Sequence, residues 1–464
     1  MGQNGLAGKR RPAGIRRIQM LMKASGKRVL VIGAGMAGLA AARLLAESGR
    51  PVLMLEAQNR MGGRIRTLRQ QGETLELGAE FVHGRPPELW KLIREAGLDT
   101  YALDGEMICH RRGKLGTCDK HGDVFKFLNG LQKWKGADLA FADYPPLARL
   151  PKEQRHEVIQ YVQSFNAADY RRIGVHALAV QQQAEQETGG DQIFRIRNGY
   201  DRVPEFLAQK VREAGGRIEL SRPVQRIEWE RGRVQVFALD GDDPVYYSAA
   251  QAVVALPLGV LQQPGVQFQP SPDALLAAHQ LAMGLARRFT LLFRDRWWAA
   301  DDRICLRKLS FLFAEDRMPP VWWSAHPAET RTLTGWIGGP RSAVFDQCTR
   351  EQIGDRACQD LALIFSRPVA FVRGQLISCA THDWHTDPYT CGTYSYVPAG
   401  ALDAVLRMAT PAYDTLYFAG EHTDTTGHWG TVHAAMRSGI RAAKQVLASE
   451  WAQAPALRLS SRRA

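Results

Sequence analysis

The stretch RVLVIGAGMAGLAAARLLAESGRPVLMLE, residues 28–56, decides the fold. Val29-Leu30-Val31-Ile32 is a short apolar run rich in β-branched side chains, as suits a strand covered on both faces. Met36 to Glu47 follows with an apolar helical pattern, which Ser48-Gly49-Arg50-Pro51 stops. Val52 to Leu55 is a second strand, ending on Glu56. Between the first strand and the helix stands Gly33-Ala34-Gly35-Met36-Ala37-Gly38, a GxGxxG turn. Gly33 makes the tight turn, Gly35 lets a pyrophosphate approach the backbone, and Gly38 lets helix and strand pack closely. The helix N-terminus offers unpaired N–H groups to phosphate, and Glu56 can accept both ribose hydroxyls. The unit reads as a nucleotide-binding βαβ.

NAD and FAD both satisfy this unit. Arg60-Met61-Gly62-Gly63-Arg64 comes directly after the ribose acid and separates them. Two glycines suit a second close backbone approach, with Arg64 as a cation on the pyrophosphate. Residues 86–190 read differently, with helical patterns such as 153–165 broken by Pro146 and Pro151. Strand-and-helix alternation returns over 191–224, and Val253-Val254-Ala255-Leu256-Pro257 is another buried strand. Residues 265–379 are rich in tryptophan and carry strands such as Phe289-Thr290-Leu291-Leu292-Phe293. Leu416-Tyr417-Phe418-Ala419 and a helix over 431–449 close the chain's body.

At 464 residues, 45% hydrophobic and 23% charged, the chain is globular and long enough for two or three domains. Its longest charge-free run, residues 244–272, is broken by Pro257, Pro264 and Pro270 and carries five glutamines, so it is no membrane helix of about 20 apolar residues. The net charge of +13 suggests nucleic acid until it is located. Residues 1–28 hold eight of those charges and residues 451–464 hold three, with no acid in either, so the body carries only +2. No phosphate-tracking surface follows from that, and no nucleic-acid partner is expected. Residues 1–27 lack an apolar signal core and are expected to be a basic arm, with a basic tail at 451–464. The seven cysteines are odd in number with no CxxC pair, which argues against a disulfide framework or a zinc set and favours a reducing cytoplasm.

The motifs together resemble the flavin-containing amine oxidases, the group of monoamine oxidases, polyamine oxidases and lysine-specific histone demethylases. The resemblance runs from Val29 to Thr67, through Glu76-Leu77-Gly78-Ala79-Glu80-Phe81-Val82-His83-Gly84 and Ala255-Leu256-Pro257-Leu258-Gly259. It is strongest at Trp384 to Tyr389 and Gly392-Thr393-Tyr394-Ser395-Tyr396. It ends at Tyr417-Phe418-Ala419-Gly420-Glu421-His422-Thr423 and Thr431-Val432-His433. It implies an α/β plus α+β, two-domain fold. Residues 28–85, 191–264 and 380–450 would form a Rossmann-like FAD-binding domain, and 86–190 with 265–379 a mixed-sheet substrate domain. It further implies that Glu56 and Arg64 hold ribose and pyrophosphate, and that Glu80 and Phe81 pass beside the flavin. Val224 would meet adenine through its backbone, Glu421 the ribityl or phosphate region, and Thr431 with Val432 would open the last helix beneath the ring.

The implied chemistry is loss of hydride equivalents from an amine's α-carbon to flavin N5, leaving an imine, with O2 or another acceptor taking the electrons. Tyr394 matches one wall of the aromatic cage of monoamine oxidases, and the opposite wall falls on Thr431, which points to an extended or secondary amine. His83 sits where polyamine oxidases place a substrate-facing acid or histidine; a structural histidine is the other reading. Arg288 stands where the family carries a lysine over N5. It is either that cation or a strand charge paired with a carboxylate, and a dehydrogenase that avoids oxygen is then open. Thr393 replaces the cysteine that monoamine oxidases bond to FAD, and Cys391 lies two residues earlier on the same strand, so non-covalent FAD is expected. No arginine near Phe81 is found for a substrate carboxylate, against an amino-acid oxidase. A desaturase of another substrate class, or a flavin-bound scaffold with weak turnover, are the remaining alternatives.

Overall fold

The computed structural model describes residues 28–118, 122–300 and 306–449. The basic arm and the basic tail lie outside the described residues. Val29–Ile32 is a strand of four buried residues, flanked in parallel by Val52–Leu55 on one side and Gln251–Val254 on the other. Arg217–Glu219 and Leu416–Phe418 extend this sheet to five parallel strands. Alternation of side chains along the strand separates two cores. Val29 and Val31 pack towards the Met36–Glu47 and Val432–Ala448 helices, whereas Leu30 and Ile32 pack towards an antiparallel meander. That meander comprises Val224–Glu230, Arg233–Asp240 and Asp243–Ala249.

A second, seven-stranded mixed sheet has Ala286–Phe293 as the second strand from one edge, every residue of it buried. It pairs antiparallel with Thr332–Gly338 and Leu376–Thr381, and its core holds Trp298, Trp322 and Phe289. The far edge is a hairpin, Glu106–Arg111 with Lys114–Thr117, inside the stretch that reads as helical in the sequence. Helices Lys152–Asn166 and Val175–Thr188 lie over a separate core built around Phe141 and Val158. Strand Phe81–His83 pairs with Ile193–Ile196.

The hairpin corrects the cysteine reading. Cys109 and Cys118 are joined as a disulfide, with Cα atoms 5.5 Å apart across the two strands. The odd count concealed a local pair nine residues apart, and the cytoplasmic reading loses the ground it stood on. No described helix is long and apolar enough to cross a membrane.

Candidate active site

One continuous cavity of about 1310 Å³ runs from the glycine turn to the aromatic face of the mixed sheet. At its first end Gly33 adopts φ +102°, and a Cβ there would strike the Ala255 carbonyl oxygen at 2.7 Å. A Cβ on Gly38 would meet the Gly33 oxygen at 1.9 Å, so helix and strand touch through bare backbone. Gly35 faces Gly63 across the cavity wall, with only the Gly63 Cα within 4.0 Å of a notional Cβ. The Met36–Glu47 helix starts without a side-chain cap, leaving its N–H groups for a ligand. Glu56 accepts from the Ala34 and Gln58 backbone N–H groups at 2.7 and 2.8 Å, while burial raises its carboxyl above the usual range. Gly62, Arg64 and Val224 line the same end.

Midway, Arg64 donates to the Thr393 carbonyl at 2.8 Å and to Glu421 Oε1 at 2.9 Å. Glu421 also accepts from the Ser395 N–H at 3.1 Å, the Ser395 hydroxyl at 2.6 Å and the Gly430 N–H at 2.8 Å. Burial alone would raise this carboxyl; Arg64 leads the groups that overcome it and hold it ionised below the usual range. Thr431 caps the Val432–Ala448 helix, its hydroxyl accepting from Ala434 N at 3.1 Å and donating to the His428 carbonyl at 2.7 Å.

At the second end Tyr394 donates to the Phe165 carbonyl at 2.7 Å, and its ring lies parallel to Trp336 within 3°, centroids 6.5 Å apart. His83 meets the Phe165 ring edge-on at 5.9 Å, and desolvation pulls its pKa down to about 4, so the ring is neutral at physiological pH. His433 also lines this end; its Nε2 is buried without a hydrogen-bond partner, and burial holds it neutral as well. Beside them Glu80 is gripped by Arg195, Arg288 and the Trp323 indole N–H at 2.9 Å. Burial would raise Glu80; Arg195 and then Arg288 outweigh it and keep the carboxylate ionised.

The family model "Flavin containing amine oxidoreductase" matches residues 36–130 and 131–447. The chain belongs to this family. Rice polyamine oxidase 4 (Oryza sativa subsp. japonica) is 27% identical over 91% of this chain and 89% of its own length. The human flavin-containing amine oxidase B is 23% identical over 90% and 86%. A rice lysine-specific histone demethylase 1 homolog 2 is 28% identical over 90% of this chain and 57% of its own. Among solved structures, wild-type putrescine oxidase bound to putrescine superposes with a TM-score of 0.76 at 19% identity, covering 91% of this chain and 99% of that one. The fold is therefore that of the flavin amine oxidases, and membership implies a flavin cofactor and an amine substrate.

For this amine oxidoreductase, the cavity wall includes Gly33, Gly35, Glu56, Arg64, Val224 and Thr431. It also includes Glu80, Phe81, His83, Arg288 and Tyr394. Glu421 lines the cavity with all four acceptor positions filled by this chain, bracing Arg64, Ser395 and the Gly430 backbone. Arg288 is not a free cation: it donates to the Gly78 carbonyl at 2.6 Å and to Glu80. Cys391 is not on a strand with Thr393; it sits in a turn at φ +51°, and the strand begins at Ser395. Trp336, Phe165, Arg195 and His433 were missed. The tryptophan-rich stretch hinted at Trp336, and His433 stood inside a motif already quoted. Arg195 carries no local signal; it meets Glu80 only because its strand pairs with Phe81–His83.

Proposed function

We propose that this chain binds FAD non-covalently along the first half of the cavity and oxidises an amine to an imine in the second half. The observation that carries the reading is the continuity of that cavity from the glycine turn to the Tyr394–Trp336 aromatic face. Gly35 and Gly63 leave backbone bare on facing walls, as a pyrophosphate needs, and the uncapped helix N-terminus and Arg64 supply positive charge there. Glu56 would accept ribose hydroxyls, and Val224 would meet the adenine. Thr431 and Val432 would place the start of the last helix under the ring system, where its dipole favours negative charge. Cys391 is not among the wall residues, in keeping with a non-covalent cofactor.

When bound, FAD supplies the two-electron acceptor for the hydride that leaves the amine's α-carbon. The chain's own residues do the rest. Tyr394 and Trp336 present parallel π-faces to a nitrogen that is cationic on arrival. Neutral His83 and His433 add no repelling charge and offer lone pairs to substrate N–H groups. The arginines on this half of the wall, Arg288 and Arg111, are each paired with a carboxylate, Glu80 and Glu157, which argues against a carboxylate-bearing substrate. A second reading concerns the electron acceptor. With Arg288 bound to Glu80, the cation expected to assist oxygen is already engaged, which favours an acceptor other than O2.

Acid precipitation tests the cofactor half: free FAD should appear in the supernatant, and flavin retained in the pellet would refute non-covalent binding. Identification of aldehyde with ammonia from a primary amine, or with the released amine from a secondary one, formed one for one with cofactor reduction, tests the chemistry. Reduction without either product would refute it.

A further inference from the structure

The outer wall of the cavity ends on the edge hairpin that carries the disulfide. In Glu106–Arg111, alternation turns Ile108 into the tryptophan-rich core and puts Met107, Cys109 and Arg111 on the opposite face, where Met107 and Arg111 line the cavity. The neighbouring strand agrees: Phe311 and Phe313, level with Met107 and Cys109, line the cavity too. Across the hairpin Gly116 stands directly opposite Cys109, and the Cys118 N–H donates to the Met107 carbonyl at 3.1 Å. The Cys109–Cys118 bond therefore runs diagonally. A Cβ on Gly116 would meet nothing within 4 Å, so the bond crosses past bare backbone. It lies on the cavity-facing side of the sheet, between two residues of the wall.

Little besides this bond holds the edge. Lys114–Thr117 is the outermost strand, pairs only with Glu106–Arg111, and has no buried residue; Leu115 packs half-buried against the core. Such a strand opens at low cost. On its other side Glu106–Arg111 pairs with Leu309–Phe313, but that ladder stops at Cys109. Beyond it His110 meets Asp316 at 3.3 Å, and Arg111 has its pairing with Lys114 and an ion pair to Glu157 at 2.8 Å. The Arg111 side chain is 65% exposed, so that ion pair contributes little. Glu157 lines the cavity from the Lys152–Asn166 helix, and the Arg111–Glu157 contact thus closes the outer wall between sheet and helix.

We propose that Cys109–Cys118 is a reversible redox site for a dithiol reductant, and that its reduction widens the outer mouth of the cavity. Cys109 is 7% exposed and Cys118 is half-buried, so exchange starts at the Cys118 sulfur. One thiolate of the dithiol bonds to Cys118 as the Cys109–Cys118 bond breaks, and Cys109 leaves as a thiolate that takes up a proton. The second thiolate then displaces Cys118, which is protonated in turn, and the reductant departs as its own disulfide. Two electrons and two protons pass to the protein. With the bond open, Lys114–Thr117 frays, Arg111 loses its ladder partner, and the Arg111–Glu157 contact no longer closes the wall. The inference goes beyond the amine-oxidising reading, on which only its kinetic readout rests.

The test compares the oxidised holoenzyme with the same protein treated with dithiothreitol and desalted without air. Thiol alkylation and peptide mapping score the bond, and anaerobic mixing with butylamine or the bulkier dibenzylamine follows flavin bleaching. Opening the bond should raise the second-order rate constant for dibenzylamine roughly two- to fivefold, the shift that losing one exposed ion pair allows. The butylamine constant and both limiting rates at saturation should stay put. Reoxidation should reverse the change, and Cys118→Ser should match the reduced protein without responding to dithiothreitol. A bond that dithiothreitol opens only in unfolded protein overturns the inference. So do two forms that bleach alike, or a rise shared equally by both amines. If dibenzylamine bleaches neither form, acrylamide quenching of the bound flavin's fluorescence judges the mouth instead. Steeper quenching in the reduced form supports the proposal, and equal quenching overturns it. If butylamine fails as well, that failure counts against the amine-oxidising reading, and the quenching comparison still decides this one.

Discussion

Removing the Arg288 side chain separates its two candidate roles. Arg288 gives two charge-assisted hydrogen bonds, to Glu80 and to the Gly78 carbonyl. Each such bond contributes about 1.5–3 kcal/mol. Arg288→Met loses both but also relieves the desolvation of a buried guanidinium, and Glu80 keeps Arg195 and the Trp323 N–H. The net cost should be about 2–3 kcal/mol. Glu80→Gln should be worse, on the order of 3–5 kcal/mol, because it strands two buried arginines with no anion between them. Arg288→Lys should lie nearest wild type, keeping the charge and losing the fork. Urea midpoints of the FAD-loaded proteins, followed by tryptophan fluorescence, give the order. A Glu80→Gln protein more stable than Arg288→Met refutes the counter-ion argument. So does an Arg288→Met protein of full stability whose only defect is slow reaction with oxygen.

Glu56→Ala should weaken FAD binding on the order of five- to 150-fold, equivalent to about 1–3 kcal/mol, measured by FAD release on dilution; unchanged release would remove Glu56 from the site. Glu76 is buried, accepts from Tyr200 N and the Thr67 hydroxyl, and desolvation raises its pKa to about 7. Its folded pKa exceeds the unfolded value, so stability falls as pH rises from about 4.5 to 7. Glu76→Gln should therefore gain up to about 3 kcal/mol over wild type at pH 8 and little at pH 4.5, read from urea midpoints at both. A constant difference across that range would refute the shift. Peptide mass mapping without reductant should find the Cys109 and Cys118 peptides linked, and finding both free would refute the pairing.

The nucleotide half was legible because it is local. Strand, glycine turn, helix and Glu56 lie within residues 28–56, and the Met36–Glu47 helix and Val52–Leu55 strand fall where the pattern put them. The reacting half was legible only in part. Tyr394 and His83 stand in recognisable motifs, but their neighbours arrive from strands and helices far away in the chain. The Arg195–Glu80–Arg288 triad joins three separated strands or loops, and no spacing rule announces it. On the glutamine-rich Val175–Thr188 helix no spacing singles out Glu185; tertiary packing alone desolvates it and raises its pKa to about 7. The Glu106–Thr117 hairpin was hidden because its burial comes from pairing with Leu309–Phe313, two hundred residues on.

The claim at the centre is that one cavity both holds FAD and oxidises an amine at its aromatic end. The most direct measurement is anaerobic mixing of the FAD-loaded protein with a panel of diamines, secondary amines and monoamines, watching the flavin's visible band. At least one extended amine should bleach it completely within a turnover, and Tyr394→Ala should slow that bleaching on the order of tenfold, about 1.4 kcal/mol in barrier. A fully loaded flavoprotein that no amine bleaches, or one whose bleaching ignores Tyr394, would contradict it.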